Sequence, residues 1–193
     1  MTDNKDFQPA GRARTVAACD GDDIKIKNLV LLAVLLAAGF ILNFTVGKAI
    51  SAVSGGAISP EFIISAFCLA ILIVRPGIGQ ALVMGLISAA VIQITTSTPG
   101  VDFIAEGVAA MAMAAIARVG ARGAAGTLIP VVGTFATTFL SGVIFMVIKM
   151  ALMGFAGQLA AVMLPVIALS SVFNAILVGA LYRPVRKSLG ATD

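Results

Sequence analysis

Residues 28–52 read NLVLLAVLLAAGFILNFTVGKAISA, an apolar run with one charge, Lys48, near its end. A helix needs about 20 apolar residues to cross roughly 30 Å of hydrocarbon, and this run is long enough. The same texture continues outward to the carboxyl terminus, cut only by Gly, Pro and isolated charges. Of the 193 residues, 60% are apolar and 11% are charged, and the mean hydropathy is +1.08. A soluble domain carries about 45–50% apolar and about 25% charged residues. The composition therefore predicts an all-α integral membrane protein in contact with the lipid bilayer. It excludes disorder, nucleic-acid binding by a basic face, and an ordinary soluble enzyme.

Working along the chain, we expect six transmembrane helices. They cover about Asn28–Ala52, Pro60–Val74, Gly77–Ser97, Val101–Val119, Ala124–Met153 and Ala156–Leu189. Arg75-Pro76-Gly77, Thr98-Pro99-Gly100 and Gly120-Ala121-Arg122-Gly123 supply tight breaks between them. Pro130 and Pro165 fall inside apolar runs, where each removes a backbone donor and can kink its helix. The second helix spans only about 22 Å. Either Ser51–Ser59 dips into the membrane beside it, or the protein thins there.

The six-helix domain thus covers residues 28–193. Ahead of it, residues 1–27 mix both charge signs and cannot bury enough apolar surface to order themselves. They read as a disordered cytoplasmic tail, and their early acids and missing apolar core argue against a secretory signal. With the amino terminus inside, eleven of the thirteen basic residues are cytoplasmic, and only Lys48 and Lys149 fall toward the outer side. The bias of Lys and Arg toward inner loops therefore places both termini in the cytoplasm.

The missing residues exclude several chemistries. There is no histidine, so Ser-His and Cys-His nucleophiles and His-zinc sites are unavailable. Cys19 and Cys68 support neither a disulfide framework nor a metal site. No G-x-x-x-x-G-K-[ST] loop occurs, so any ATP-driven step needs another subunit. We expect no catalytic residues, no metal and no cofactor.

The remaining charges gather at one depth. Glu61 starts the second helix on the outer side, and Asp102 and Glu106 start the fourth there. Lys48 and Lys149 lie near the outer ends of the first and fifth helices. Gln93, Thr95 and Thr96 close the third, with Asn43 a little deeper in the first. A charge deep in a helix costs about 2.5–3.5 kcal/mol on insertion scales, so such residues face a bundle interior or a wet cavity. Asp102 and Glu106 are four apart, which puts both carboxylates on one helix face. Asn43, Lys48, Glu61, Gln93, Thr96, Asp102, Glu106 and Lys149 are the candidate lining of an outward-facing polar pocket. Blander readings stand beside this one. Lys48, Glu61 and Asp102 also suit solvated helix ends, and an acid at a helix start is favoured by the dipole. Lys149 can snorkel outward along its stem, and Gln93 can bridge helices.

Small residues form a second pattern. Ala33 and Ala37 on the first helix, Gly85 and Ala89 on the third, and Gly133, Thr137 and Ser141 on the fifth lie at spacings that let backbones approach closely. Internal packing is the simplest role for all three sets. The chain has no tryptophan and a single tyrosine, Tyr182, so it lacks the usual aromatic belts.

These residues resemble a family. Pro60-Glu61-Phe62, Phe67, Ala70-Ile71-Leu72, Gly85-Leu86-Ile87, Gln93-Ile94-Thr95-Thr96-Ser97-Thr98-Pro99-Gly100 and Asp102-Phe103-Ile104 are similar to S components, the small membrane subunits of energy-coupling factor (ECF) transporters. The likeness is closest to the tryptophan-transporter-like branch and covers about residues 30–118. It implies a six-helix substrate-binding domain in the bacterial plasma membrane, taking a vitamin, amino acid or metal ion from the outer side. It also implies a lid at about Val53–Ser59, including Gly55-Gly56. Ala33 and Ala37 become the face that docks on a transmembrane T component, and two ATPase subunits drive a toppling cycle. The aromatics near the expected pocket are Phe44, Phe62, Phe103 and Phe155, few for an indole. Three acids against two lysines suit a zwitterion or a cation.

Two other readings compete. A stand-alone secondary carrier would use Glu106 or Asp102 as a proton-coupling carboxylate, although no inverted repeat relates residues 28–97 to 101–189. An intramembrane enzyme would need a pair such as Ser141 and Lys149. Those two lie about 12 Å apart along one helix, too far for direct activation.

Overall fold

The computed structural model describes residues 20–53, 61–94, 98–120, 128–154 and 156–189, and among these every element is helical. Helix α1 runs Asp20–Leu42 and passes through a π-helical turn, Asn43–Gly47, into α2, Lys48–Val53. Then come α3, Phe62–Val74; α4, Ile78–Ile92; α5, Val101–Gly120; α6, Ile129–Met153; and α7, Ala156–Ser188. Four stretches are long and apolar enough to cross a membrane: Leu29–Ile50, Val101–Gly120, Ile129–Leu152 and Gly157–Ser188. The chain is accordingly a helical membrane protein. Helices α3 and α4 are apolar but shorter, at 13 and 15 residues.

The short helix α3 is the hub. It packs against α1, α4, α5, α6 and α7, and every residue from Phe62 to Leu72 is buried. A helix that is apolar on all sides belongs in an interior, and α3 occupies it. The other helices form an open ring in the order α1–α4–α5–α6–α7, each touching the next, while α1 and α7 do not meet. Lipid gives little hydrophobic drive between helices, so close backbone approach matters more than in water. At Gly39 of α1 a Cβ would lie 3.0 Å from Ala66 Cβ of α3, and at Gly85 of α4 one would lie 2.7 Å from Ala110 Cβ of α5.

Several expectations change. Residues 20–27, expected to belong to the tail, are the first turns of α1. Extending an existing helix fixes one residue per hydrogen bond gained, which is far cheaper than nucleating one. Residues 1–19 lie outside the described set, as do the lid segment 54–59, Thr96 and Phe155. Pro130 sits in the first turn of α6, Ile129–Met153, where no donor is needed, and the expected start at Ala124 lies outside the described residues. Pro165 is inside α7 as expected, together with Pro184. The break between α3 and α4 is made by Arg75 in the left-handed region (φ 51°, ψ 53°), whose N–H caps Ile71 O at 2.8 Å. Arg118 of α5 reaches back to this turn, donating from Nη2 to Pro76 O at 3.3 Å.

Candidate functional site

A cavity of ≈ 300 Å³ opens where the start of α3 meets α5, α6 and α7. It lies at the low end of the range of about 300–1,000 Å³ usual for small-molecule sites. Glu61 comes from the residue before α3, and Asp102, Ala105 and Glu106 come from α5. Thr138, Ser141, Gly142 and Phe145 come from α6, and Val162, Met163, Val166, Ile167 and Ser170 from α7. The i, i+4 spacing does put Asp102 and Glu106 on one face, and the fold brings Glu61 to them from another helix.

The three acids sit at different depths. Glu61 is exposed, Asp102 is 7% exposed and Glu106 only 2%. Oxygen Oε2 of Glu106 has no hydrogen-bond partner among the described residues, and neither has Oγ1 of Thr138 beside it in the lining. A buried polar atom without a partner costs about 1–3 kcal/mol, and a charged one more. Two residues of the lining thus carry unmet hydrogen-bonding capacity.

Two side chains outside the lining hold the acids in place. Gln93, just past α4, donates from Nε2 to Asp102 Oδ2 at 3.4 Å, while its Oε1 accepts from Gly100 N–H at 3.2 Å. It therefore bridges the end of α4 to the start of α5 and does not line the cavity. Asn174 of α7 is fully buried and donates from Nδ2 to Glu61 O at 3.2 Å, tying α7 to the residue that begins the hub.

Three expected lining residues lie elsewhere. Lys48 is exposed at the start of α2, and Asn43 is half-buried in the π-helical turn. Neither is part of the cavity lining. Lys149 turns back along α6, with Nζ 5.6 Å from the centroid of the Phe145 ring, a cation–π contact at the cavity's outer wall. Among the aromatics, Phe44 stacks on Phe40 and Phe62 meets Phe173 edge to face. Phe103 is 37% exposed. None of the three lines the cavity; Phe145 does.

The hydroxyls of Thr138, Ser141 and Ser170 were not anticipated as lining. Their signal was present as a polar stripe, Thr134, Thr137, Thr138 and Ser141, repeating at helical spacing on α6 and buried throughout. Of the small-residue faces, Gly85, Ala89, Gly133, Thr137 and Ser141 are buried, whereas Ala33 and Ala37 are exposed on α1. Among the described residues no three His, Cys, Asp or Glu side chains are arranged so that they could hold a metal ion. No family model, characterised protein or solved structure matches the chain.

Proposed function

We propose that this chain is the substrate-binding S component of an ECF-type importer in a bacterial plasma membrane. It captures a small molecule on the outer side and works with a transmembrane T component and two ATPase subunits. The observation that carries the reading is the cavity of ≈ 300 Å³ lined by three acids of decreasing exposure. Glu61, Asp102 and Glu106 are the binding residues, with Gln93 and Asn174 positioning two of them.

Further support comes from helix lengths and from α1. Four spanning helices with two shorter apolar ones are compatible with six crossings and both termini inside. Among the described residues helix α1 packs chiefly on α3 and α4, and Ala33 and Ala37 lie exposed on a face that suits a partner helix. The secondary carrier remains the second reading, because Glu106 is also a buried, unpartnered carboxyl of the kind proton coupling uses. Vesicle reconstitution separates the two. Uptake that requires the T component, the ATPase subunits and ATP supports the proposal, and uptake driven by a proton gradient with this chain alone refutes it.

A further inference from the structure

We infer that the cavity selects a monoamine, a ligand whose single charge is a protonated amine carried on an apolar body. The inference rests on the capture reading above and specifies its substrate class. Three carboxyl side chains line the cavity, and among the described residues no Lys or Arg does. A cleft lined by one sign of charge with low-dielectric walls concentrates the opposite sign. Exposure falls from Glu61 through Asp102 to Glu106, so the three acids of the lining differ in how far they are shielded from solvent. Glu106 Oε2 and Thr138 Oγ1, both of lining residues, are buried and without hydrogen-bond partners among the described residues. An ammonium group has three N–H donors and no acceptor, the complement of that arrangement.

The rest of the wall sets the body of the ligand. Phe145, Val162, Met163, Val166 and Ile167 present aliphatic and aromatic surface, against hydroxyls from Ser141 and Ser170. An amino acid fits poorly, because its carboxylate would have to enter among three acids without a cation to meet it. Neither lysine of the outer charge set lines the cavity: Lys149 Nζ lies over the Phe145 ring and Lys48 is exposed at the start of α2. A divalent metal fits poorly too, since the described residues hold no cluster of ligands able to bind one.

The test uses the full chain in lipid nanodiscs, with tryptamine, tryptophan and indole-3-propionate as probes. These share an indole body and carry a positive, a zwitterionic and a negative charge respectively. The protein contains no tryptophan, so ligand indole fluorescence is read without background. Phenethylamine and 3-phenylpropionate, added as competitors, repeat the comparison with a smaller body. We expect at least one amine to bind about tenfold or more tightly than its matched carboxylate and than tryptophan. Glu106→Gln keeps the shape and removes the carboxyl that can pair with an ammonium, and should weaken the amine about tenfold or more. Asp102→Asn gives the same comparison should the first variant fail to fold. Tryptophan or a carboxylate binding as well as the matched amine overturns the amine assignment and leaves small-molecule capture standing. Failure of both amines to bind overturns the assignment as well. Glu106-dependent amine binding, combined with uptake that ignores the ATPase subunits, would keep the ligand class and remove the importer reading.

Discussion

Gly85 offers the sharpest test of the packing that positions the site. A Cβ at this position would lie 2.7 Å from both Ala110 Cβ and the carbonyl oxygen of Glu106. Ordinary contact begins near 3.4 Å, so Gly85→Ala must push α4 and α5 apart by several tenths of an ångström. Neither neighbour is a flexible side-chain end that could swing away. Overpacking of this kind costs about 1–3 kcal/mol. Alanine's helix preference returns about 0.5–1 kcal/mol, leaving a net change between roughly zero and a loss of about 2.5 kcal/mol. Two glycines serve as controls. At Gly107, on the same interface, the nearest atoms are Leu82 Cδ1 at 3.1 Å and Leu86 Cδ2 at 3.7 Å, both movable, so Gly107→Ala should be close to neutral. At Gly79 nothing lies within 4 Å, so Gly79→Ala should stabilise by about 0.5–1 kcal/mol. Reversible unfolding in mixed micelles with rising dodecyl sulfate, followed by helical circular dichroism, gives the three values. The displaced carbonyl belongs to Glu106, so ligand affinity should fall with stability in Gly85→Ala. Finding Gly85→Ala as stable as Gly79→Ala would refute the close approach of α4 to α5.

Other consequences are more local. Asn174→Ala removes the amide that holds Glu61 O and should cost about 1–2 kcal/mol in the same unfolding assay, with weaker ligand binding; an unchanged midpoint would mean that the bond contributes nothing. Ser141→Leu adds bulk to a cavity of ≈ 300 Å³ and should abolish binding measured by calorimetry while the helical content stays at the wild-type level. Ala33→Leu together with Ala37→Leu alters an exposed face, so stability and ligand binding should hold while ATP-dependent uptake in vesicles is lost. Normal uptake by that double variant would place the partner elsewhere. Gly154 has φ 73°, so Gly154→Ala should lower stability by about 1 kcal/mol, whereas Gly157→Ala meets nothing within 4 Å and should not.

Part of this protein was legible in the sequence because lipid imposes strong one-dimensional rules. Backbone groups in hydrocarbon must bond within their own segment, so long apolar runs become helices wherever they sit in the fold. The breaks at Arg75–Gly77 and Thr98–Gly100 follow from residues that cannot continue a helix, and Asp102 and Glu106 share a face through helical spacing alone. Three things needed the tertiary structure. Helix α3 is the hub although it has only 13 residues, and only the cavity lining reveals that Lys48 and Asn43 stand apart from the acids. Lys149 points back toward Phe145 because side chains on a helix lean toward its amino end, a direction that residue spacing from other helices does not convey. Hydroxyls in an apolar helix read ambiguously, since one such as Ser171 satisfies itself on Ile167 O at 2.7 Å, whereas Thr138, a cavity-lining residue, keeps a buried oxygen without a partner among the described residues. Local rules fix the helices and the depth at which charges lie. Which charges share a cavity is decided by how one helix packs against the next.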